Sequence, residues 1–420
     1  MTATAQSPQP KAERNGHDFA LLWVGAGLSF LATRMTALVY PLLVLWGGGS
    51  TATAGFVGFT ALLPQFAVQL PAGAIVDRYD RRRLMLLSEL GGLVVVGSLA
   101  IPVATGHLWL PQLFAVAFIE GSLLVVHQLA ERAAIPHVVT PESLGSAYSR
   151  NEARTRGSSM LGQPLGTGLF ALAHAFPLLF GAISHALSLL TLSLLRTPLN
   201  AERVAKPRAM RAEIGEGLAW LWRKPFIRAL MFVLAGTNLL FQMVTFAVLP
   251  LFHDEHRSAA LVGVVLACSS VGGLVGALTA SHWMRYAGLR RILIICCVTW
   301  AVVTLLLPIG DNVPVMALLF AVSGYVGGVF NVPAVVYVVR VTPAELRGRV
   351  SSVAGLMSAG AMAFGWIAAG WLLSMISPRQ TLTTVGGLFV LVLLATIISP
   401  SIRKASGPDE IRPLEEAPAT

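Results

Sequence analysis

Of the 30 lysines and arginines in this chain, 27 fall in alternate gaps between long apolar runs. The gaps carry 2 basic residues before the first run, 4 in 77–83, 4 in 132–156, 8 in 196–228, 3 in 285–291, 3 in 340–349 and 3 after the last run. The intervening gaps hold only Arg257 and Arg379, and Arg34 lies inside a run. Lys and Arg are retained on the cytoplasmic face of a membrane. The pattern therefore predicts that every basic gap is inside, that both termini are inside, and that the number of crossings is even. Runs of membrane-spanning length fall near 19–46, 53–76, 84–105, 109–131, 149–174, 176–196, 226–252, 258–284, 291–310, 313–339, 346–376 and 380–402.

Composition closes off the other classes. With 55% apolar residues and 12% charged, the 420 residues do not read as two or three soluble domains. The net charge of +10 is spread over loops instead of gathered on one face, so it reads as orientation beside anionic lipid and not as a nucleic-acid footprint. No small-residue cleavage site follows a short apolar core, and the first span is expected to be retained. Cys268, Cys296 and Cys297 lie in apolar runs, with neither a disulfide framework nor a metal spacing.

The chain repeats itself. Val139-Thr140-Pro141 returns as Val341-Thr342-Pro343, Arg78-Tyr79 as Arg285-Tyr286, and Arg82-Arg83 as Arg290-Arg291. The expected organisation is a cytoplasmic tail at 1–18, a six-helix bundle at 19–196, a cytoplasmic linker at 197–225, a second six-helix bundle at 226–402 and a cytoplasmic tail at 403–420. The linker begins Thr-Pro-Leu-Asn, carries Pro207, and then reads as an interfacial or plain linker helix over 211–222. The two Thr-Pro steps suit helix starts, and Glu345 is placed to complete a capping box with Thr342.

Gly73-Ala74-Ile75-Val76-Asp77-Arg78-Tyr79-Asp80-Arg81-Arg82-Arg83 joins spans 2 and 3. With twelve spans in two halves, it resembles the inner-loop signature of the major facilitator superfamily, Gly-x-x-x-Asp-Arg-x-Gly-Arg-Arg, with Asp80 in the usual Gly position. The resemblance implies an all-α membrane protein of twelve helices in two pseudo-symmetric bundles, with a substrate path between the halves. It also implies a gate in which Asp77 faces the start of span 11, near Arg347 and Arg349, with Gly73, Arg78 and Arg81 completing the motif. The alternative for Arg81, Arg82 and Arg83 is that each merely anchors topology. Leu70-Pro71-Ala72-Gly73, Ala130-Glu131-Arg132-Ala133-Ala134-Ile135-Pro136, Asn151-Glu152-Ala153-Arg154 and Leu346-Arg347-Gly348-Arg349-Val350 resemble the macrolide-efflux and enterobactin-exporter-like branch in its actinobacterial form. In span 5, Gly162-Gln163-Pro164-Leu165-Gly166-Thr167-Gly168 resembles the antiporter signature Gly-Pro-x-x-Gly-Gly, with Gln163 and Thr167 as departures; a generic packing seam is the alternative.

Ionisable residues inside spans are the candidate machinery. Arg34 lies 12 residues from Trp46 and Glu120 lies 11 from Trp109, so each is about 17 Å from the outer end of its span. Equal depth predicts an Arg34–Glu120 pair that couples protons to substrate movement, with His127, on the same face as Glu120, passing the proton inward. A static structural pair is the competing reading. Glu89 is expected to pair with an inner-loop arginine. Asn238, Phe241 and Gln242 on span 7, with Tyr325 and Asn331 on span 10, are expected to contact a large, weakly polar substrate beside Arg34 and Glu120. Interhelical hydrogen bonding is the alternative for each amide. His253-Asp254-Glu255-His256 reads as a solvated outer loop and not a metal site. No Walker sequence or aligned nucleophile is present, so no enzyme activity and no cofactor are expected.

These features predict a multi-pass transporter of the cell (cytoplasmic) membrane, resting on the lipid bilayer and binding protons and a small amphiphilic molecule. The family expectation is a monomer, with no nucleic-acid partner. The favoured activity is proton-coupled efflux of a drug-like natural product or siderophore. Uptake or facilitated diffusion is a second reading, and a transporter-shaped receptor a third; the two charges inside spans count against the last.

Overall fold

The apolar runs are helices because, in hydrocarbon, only a helix satisfies its own backbone. This computed structural model describes residues 9–195, 197, 199, 210–310 and 312–404. The first residues of the N-terminal tail, the linker stretch around Pro207, Asp311 and the C-terminal tail past Lys404 lie outside the described residues.

The helices follow in order as α1 (Gln9–Trp46), α2 (Thr51–Ala67), α3 (Gln69–Arg78), α4 (Arg81–Ala104), α5 (Leu110–Val138), α6 (Leu144–Leu172) and α7 (Phe176–Leu194). The linker helix α8 (Met210–Trp222) leads to α9 (Pro225–Asp254), α10 (Ala259–Tyr286), α11 (Leu289–Leu306), α12 (Val313–Val341), α13 (Arg347–Leu373), α14 (Pro378–Ile398) and the short α15 (Pro400–Lys404). Ten of these helices are long and apolar enough to cross a membrane, and the bent pair α2 and α3 makes an eleventh crossing. The twelfth is α6, whose 29 residues suffice in length but whose first turns carry Arg150, Glu152, Arg154 and Arg156. Among the described residues the architecture is therefore that of an all-α membrane protein, with twelve helices or bent pairs of spanning length.

Span 2 is broken, which the sequence reading did not anticipate. α2 and α3 meet at 49°. Pro71 has no N–H to give the carbonyl of Ala67, and its ring crowds that carbonyl, so the helix ends there and restarts. The Thr342–Glu345 capping box does not form. The Thr342 hydroxyl instead donates back to the Val338 carbonyl at 2.6 Å, and a 3-10 turn at Ala344–Leu346 precedes α13. Asp80, the departure from the family motif, caps α4: its carboxylate accepts from the Arg83 amide at 2.8 Å.

The chain gathers into two compact units, one of Met1–Val39 with Leu63–Lys206, the other of Tyr40–Leu62 with Pro207–Thr420. In the first, α4 packs against both α5 and α7. α6 lies close on α1, because a Cβ at Gly162 would stand 2.6 Å from Arg34 Cβ and one at Gly166 2.9 Å from the Met35 carbonyl. In the second, α10 and α12 touch through backbone. Gly272 and Gly276 of α10 face Ala321 and Tyr325, while Gly324 and Gly328 of α12 face Ser269 and Gly273. α9 packs on α13, and α11 lies against α12 and α14.

Candidate functional site: a buried carboxylate–histidine cluster

Four ionisable side chains meet inside the first unit. Glu89 comes from α4, Glu120 and His127 from α5, and His185 from α7; they are 1%, 2%, 2% and 4% exposed. His185 Nδ1 is hydrogen-bonded to Glu89 Oε2 at 2.8 Å, and its Nε2 lies 3.7 Å from Glu120 Oε1. His127 Nδ1 lies 2.8 Å from Glu89 Oε1. The Thr36 hydroxyl of α1 reaches both Glu120 oxygens, at 2.9 and 3.0 Å. Ser29, Ser88, Leu123 and Leu124 complete the walls, and the gap among them has no room for a water molecule.

Local sequence makes the meeting possible. Glu120 and His127 are seven residues apart and so share one face of α5. Gly92, one turn beyond Glu89 on α4, leaves room for the His185 ring: a Cβ there would stand 2.7 Å from its Cε1 and Nδ1. A carboxylate buried without neutralisation costs several kcal/mol. Here each carboxylate is hydrogen-bonded or faced by an imidazole, which lowers that cost and places proton donors and acceptors next to one another.

The expected Arg34–Glu120 pair is absent. Equal depth did not suffice, because Thr36 already points at Glu120, and Arg34 is two residues, about 200° of helix rotation, away from it. Arg34 instead faces α6 at Gly162, with its guanidinium carbon 4.8 Å from the centre of the Phe30 ring. Its Nε is buried with no hydrogen-bond partner among the described residues. Glu89 is paired with imidazoles and not with an inner-loop arginine, and His127 is joined to Glu89, not directly to Glu120. His185 was missed by the sequence reading; its one signal was a lone histidine in the apolar run 176–194.

A second buried pair stands on the same side of the unit. Arg154 of α6 grips Glu131 of α5 through both terminal nitrogens, at 2.8 and 3.0 Å, and donates to the Trp23 carbonyl of α1 at 3.2 Å. Both residues belong to stretches that carried the resemblance.

The remaining motif residues divide. Asp77 and Arg78 stand exposed at the end of α3. Arg81 ties α4 to α5 and to the segment after α7, reaching the carbonyls of Ala133 and Leu199 at 2.9 and 3.2 Å and His137 Nε2 at 2.9 Å. In the second unit Arg347 donates to the Thr342 carbonyl, and Arg349 pairs with Glu216 of the linker helix. In α6, Pro164 sits inside the helix between the two packing glycines, and Gly168 has open space where a Cβ would be.

Of the expected substrate contacts, Asn238, Phe241 and Gln242 are half-buried on α9. Asn331 is exposed and its amide bonds back to the Gly327 carbonyl at 2.9 Å. The Tyr325 hydroxyl accepts from Trp283 Nε1 at 2.9 Å and lies 3.2 Å from Thr279 Oγ1, so it fastens α12 to α10 in this structure. Glu255 pairs with Arg257 and Arg379, each at 2.8 Å, and the His253 ring lies 4.7 Å from that of Trp46.

Similarity to known proteins agrees with this architecture. The family model described as Major Facilitator Superfamily matches residues 22–257 and again 247–419. The multidrug efflux pump Tap of Mycolicibacterium fortuitum is 30% identical over 360 residues, 81% of this chain and 84% of that one. Macrolide efflux protein A of Streptococcus pyogenes is 23% identical over 286 residues, 66% of this chain and 69% of that one. Among solved structures, the nucleoside transporter NupG superposes with a TM-score of 0.71 at 15% identity, covering 93% of this chain and all of that one (100%). A bacterial homologue of the iron transporter ferroportin does so at 0.66 and 18% identity, covering 90% and 98%. The latter two likenesses speak for the fold alone. Twelve spanning helices, a family match over nearly the whole chain and a relative at 30% identity lead to one conclusion: this chain belongs to the major facilitator superfamily of membrane transporters.

Proposed function

We propose that this protein is a proton-driven exporter of a drug-like natural product or siderophore, working by alternating access. The observation that carries the reading is the burial of Glu89 and Glu120 in one bundle, faced by two imidazoles and a hydroxyl. Membrane carboxylates are costly and mark proton or substrate pathways. The efflux pumps named among the relatives support the direction and the breadth of substrate. One proton falling through 100 mV and one pH unit releases about 3.7 kcal/mol, enough to hold a gradient of roughly 500-fold.

The basic loops and both termini lie on the cytoplasmic side in this reading, as the distribution of arginine requires. Arg34, charged and half-buried within a span, lines the substrate path, and Asn238, Phe241 and Gln242 supply amides and an aromatic face on α9. Gly73, Asp77 and Arg78 on α3, and Arg347 and Arg349 at the start of α13, are the gating residues in this reading. Uncharged amides with an aromatic side chain suit amphiphilic molecules of mixed shape.

The test is drug accumulation in energised, pump-deficient cells. Wild-type protein should lower accumulation of macrolides and related compounds, and a protonophore should abolish the difference. Glu120→Gln should raise accumulation to the level of cells without the protein. Full proton-dependent export by that variant would remove Glu120 from the coupling path.

A further inference from the structure

The four buried groups are not a knot but a series. Glu120 and His127 are separated along α5 by seven residues, about 10 Å. Between them stands His185, with Nε2 turned to Glu120 at 3.7 Å and Nδ1 to Glu89 at 2.8 Å. The other oxygen of Glu89 lies 2.8 Å from His127 Nδ1. Acid and base alternate: Glu120, His185, Glu89, His127, in order from mid-span toward the cytoplasmic end of α5.

We propose that this series is a proton wire, with His185 as the member that hands protons between the two carboxylates. The inference rests on reading the cluster as the coupling site. In the transfer, the O–H of protonated Glu120 breaks as an N–H forms on Nε2 of neutral His185. The Nδ1–H breaks as an O–H forms on Glu89. Glu89, protonated on Oε2, turns its carboxyl so that the proton passes to His127 Nδ1, and His127, which begins neutral with its proton on Nε2, releases that one to a cytoplasmic water that reaches the ring when the inner side is open. Each ring ends neutral with its proton on the opposite nitrogen, and a ring flip or return transfer resets it. Nothing else is consumed.

Two further observations fit a wire better than a static knot. His127 Nε2, the exit atom, is buried and has no hydrogen-bond partner among the described residues, and Glu89 Oε1, His127 Nδ1 and His185 Nε2 share that condition, so the series is not locked by hydrogen bonds. The Glu120–His185 link, at 3.7 Å, is the longest of the three, Glu89 Oε1 and His127 Nδ1 lie 2.8 Å apart without hydrogen-bond alignment, and the Thr36 hydroxyl holds both Glu120 oxygens on the far side. A shift of α1 that frees Glu120 closes the link, so movement of the helix that bears Arg34 gates the wire. The charged groups of neighbouring elements are engaged elsewhere: Asp18 of α1 on Thr197, Arg34 over Phe30, Arg81 of α4 on Ala133 and His137, and Arg154 of α6 on Glu131.

The experiment takes the purified full-length protein through a pH titration, reading the infrared C=O stretch of protonated carboxyls. In parallel, proteoliposomes report accumulation of a labelled macrolide under an imposed pH gradient and its exchange without one. In wild type, the two buried carboxyls should titrate together. In His185→Gln they should titrate independently, with gradient-driven accumulation falling to that of protein-free vesicles while exchange persists. Gly92→Ala removes no titratable group but pushes the ring aside, and should repeat the effect; it also serves if His185→Gln does not stay monodisperse. Independent titration in wild type, or coupling and accumulation both intact in the variants, would overturn the wire. A wild type that couples its carboxyls through His185 yet accumulates no macrolide under the gradient would uphold the wire and sink the export reading for that substrate.

Discussion

Glu131→Ala will lower the stability of this protein by about 3–5 kcal/mol, because it strands the Arg154 guanidinium in the helix interior. Arg154 is 8% exposed and Glu131 3%, and two hydrogen bonds join them. Removing the carboxylate leaves the cation with the Trp23 carbonyl alone. The Coulombic attraction of the pair does not have to be large for this; the loss is the desolvation of the charge that remains. It follows that the double variant Glu131→Met with Arg154→Leu should recover most of the loss, since neither charge is then buried. Thermal unfolding of detergent-solubilised wild type, both single variants and the double variant measures this directly. A double variant as unstable as Glu131→Ala would mean that the pair holds α5 and α6 in register by its geometry and not by charge balance.

Gly276→Ala should be nearly as damaging, for a different reason. A Cβ at that position would stand 2.0 Å from the Tyr325 carbonyl oxygen and 2.8 Å from its carbon. Backbone cannot rotate away as a side chain can, so α10 and α12 must separate. The separation would also disturb the Trp283 and Thr279 contacts to the Tyr325 hydroxyl. Overpacking of this kind costs about 3 kcal/mol, and without a hydrophobic drive between helices in lipid, close packing is much of what holds them together. Gly168→Ala is the internal control: nothing lies within 4 Å of its Cβ position, and alanine is the better helix former by about 1 kcal/mol. Yield of monodisperse protein and its unfolding midpoint should fall sharply for the first variant and hold or rise for the second.

The spans were legible because hydropathy and basic residues are properties of segments, and a segment needs no partner to be recognised. α12 begins at Val313 and α7 at Phe176, where the apolar runs begin. The break in span 2 was written in Pro71, yet a proline within a span can also be accommodated without a break, as Pro164 is in α6. The site was legible only in one dimension. Counting residues gave depth, which drew attention to Arg34 and Glu120 as ionisable groups far from the outer end of their spans, with His127 seven residues on from Glu120. Which residue faces which depends on the rotation of each helix against its neighbours. That coordinate separates Thr36, which reaches Glu120, from Arg34, which does not. His185 and Glu89 came together for the same reason, through the packing of α4 between α5 and α7 and the space left by Gly92.

The polarity of α6 bears on how the chain is assembled. Ribosomes deliver the helices in order, and among the described spanning helices the segment bearing Arg154 is the one whose own composition gives it little reason to leave water. Its anion, Glu131, lies on the helix made just before it. Synthesis therefore seats the counter-charge first, and the most reluctant crossing finds its partner already waiting in the bilayer.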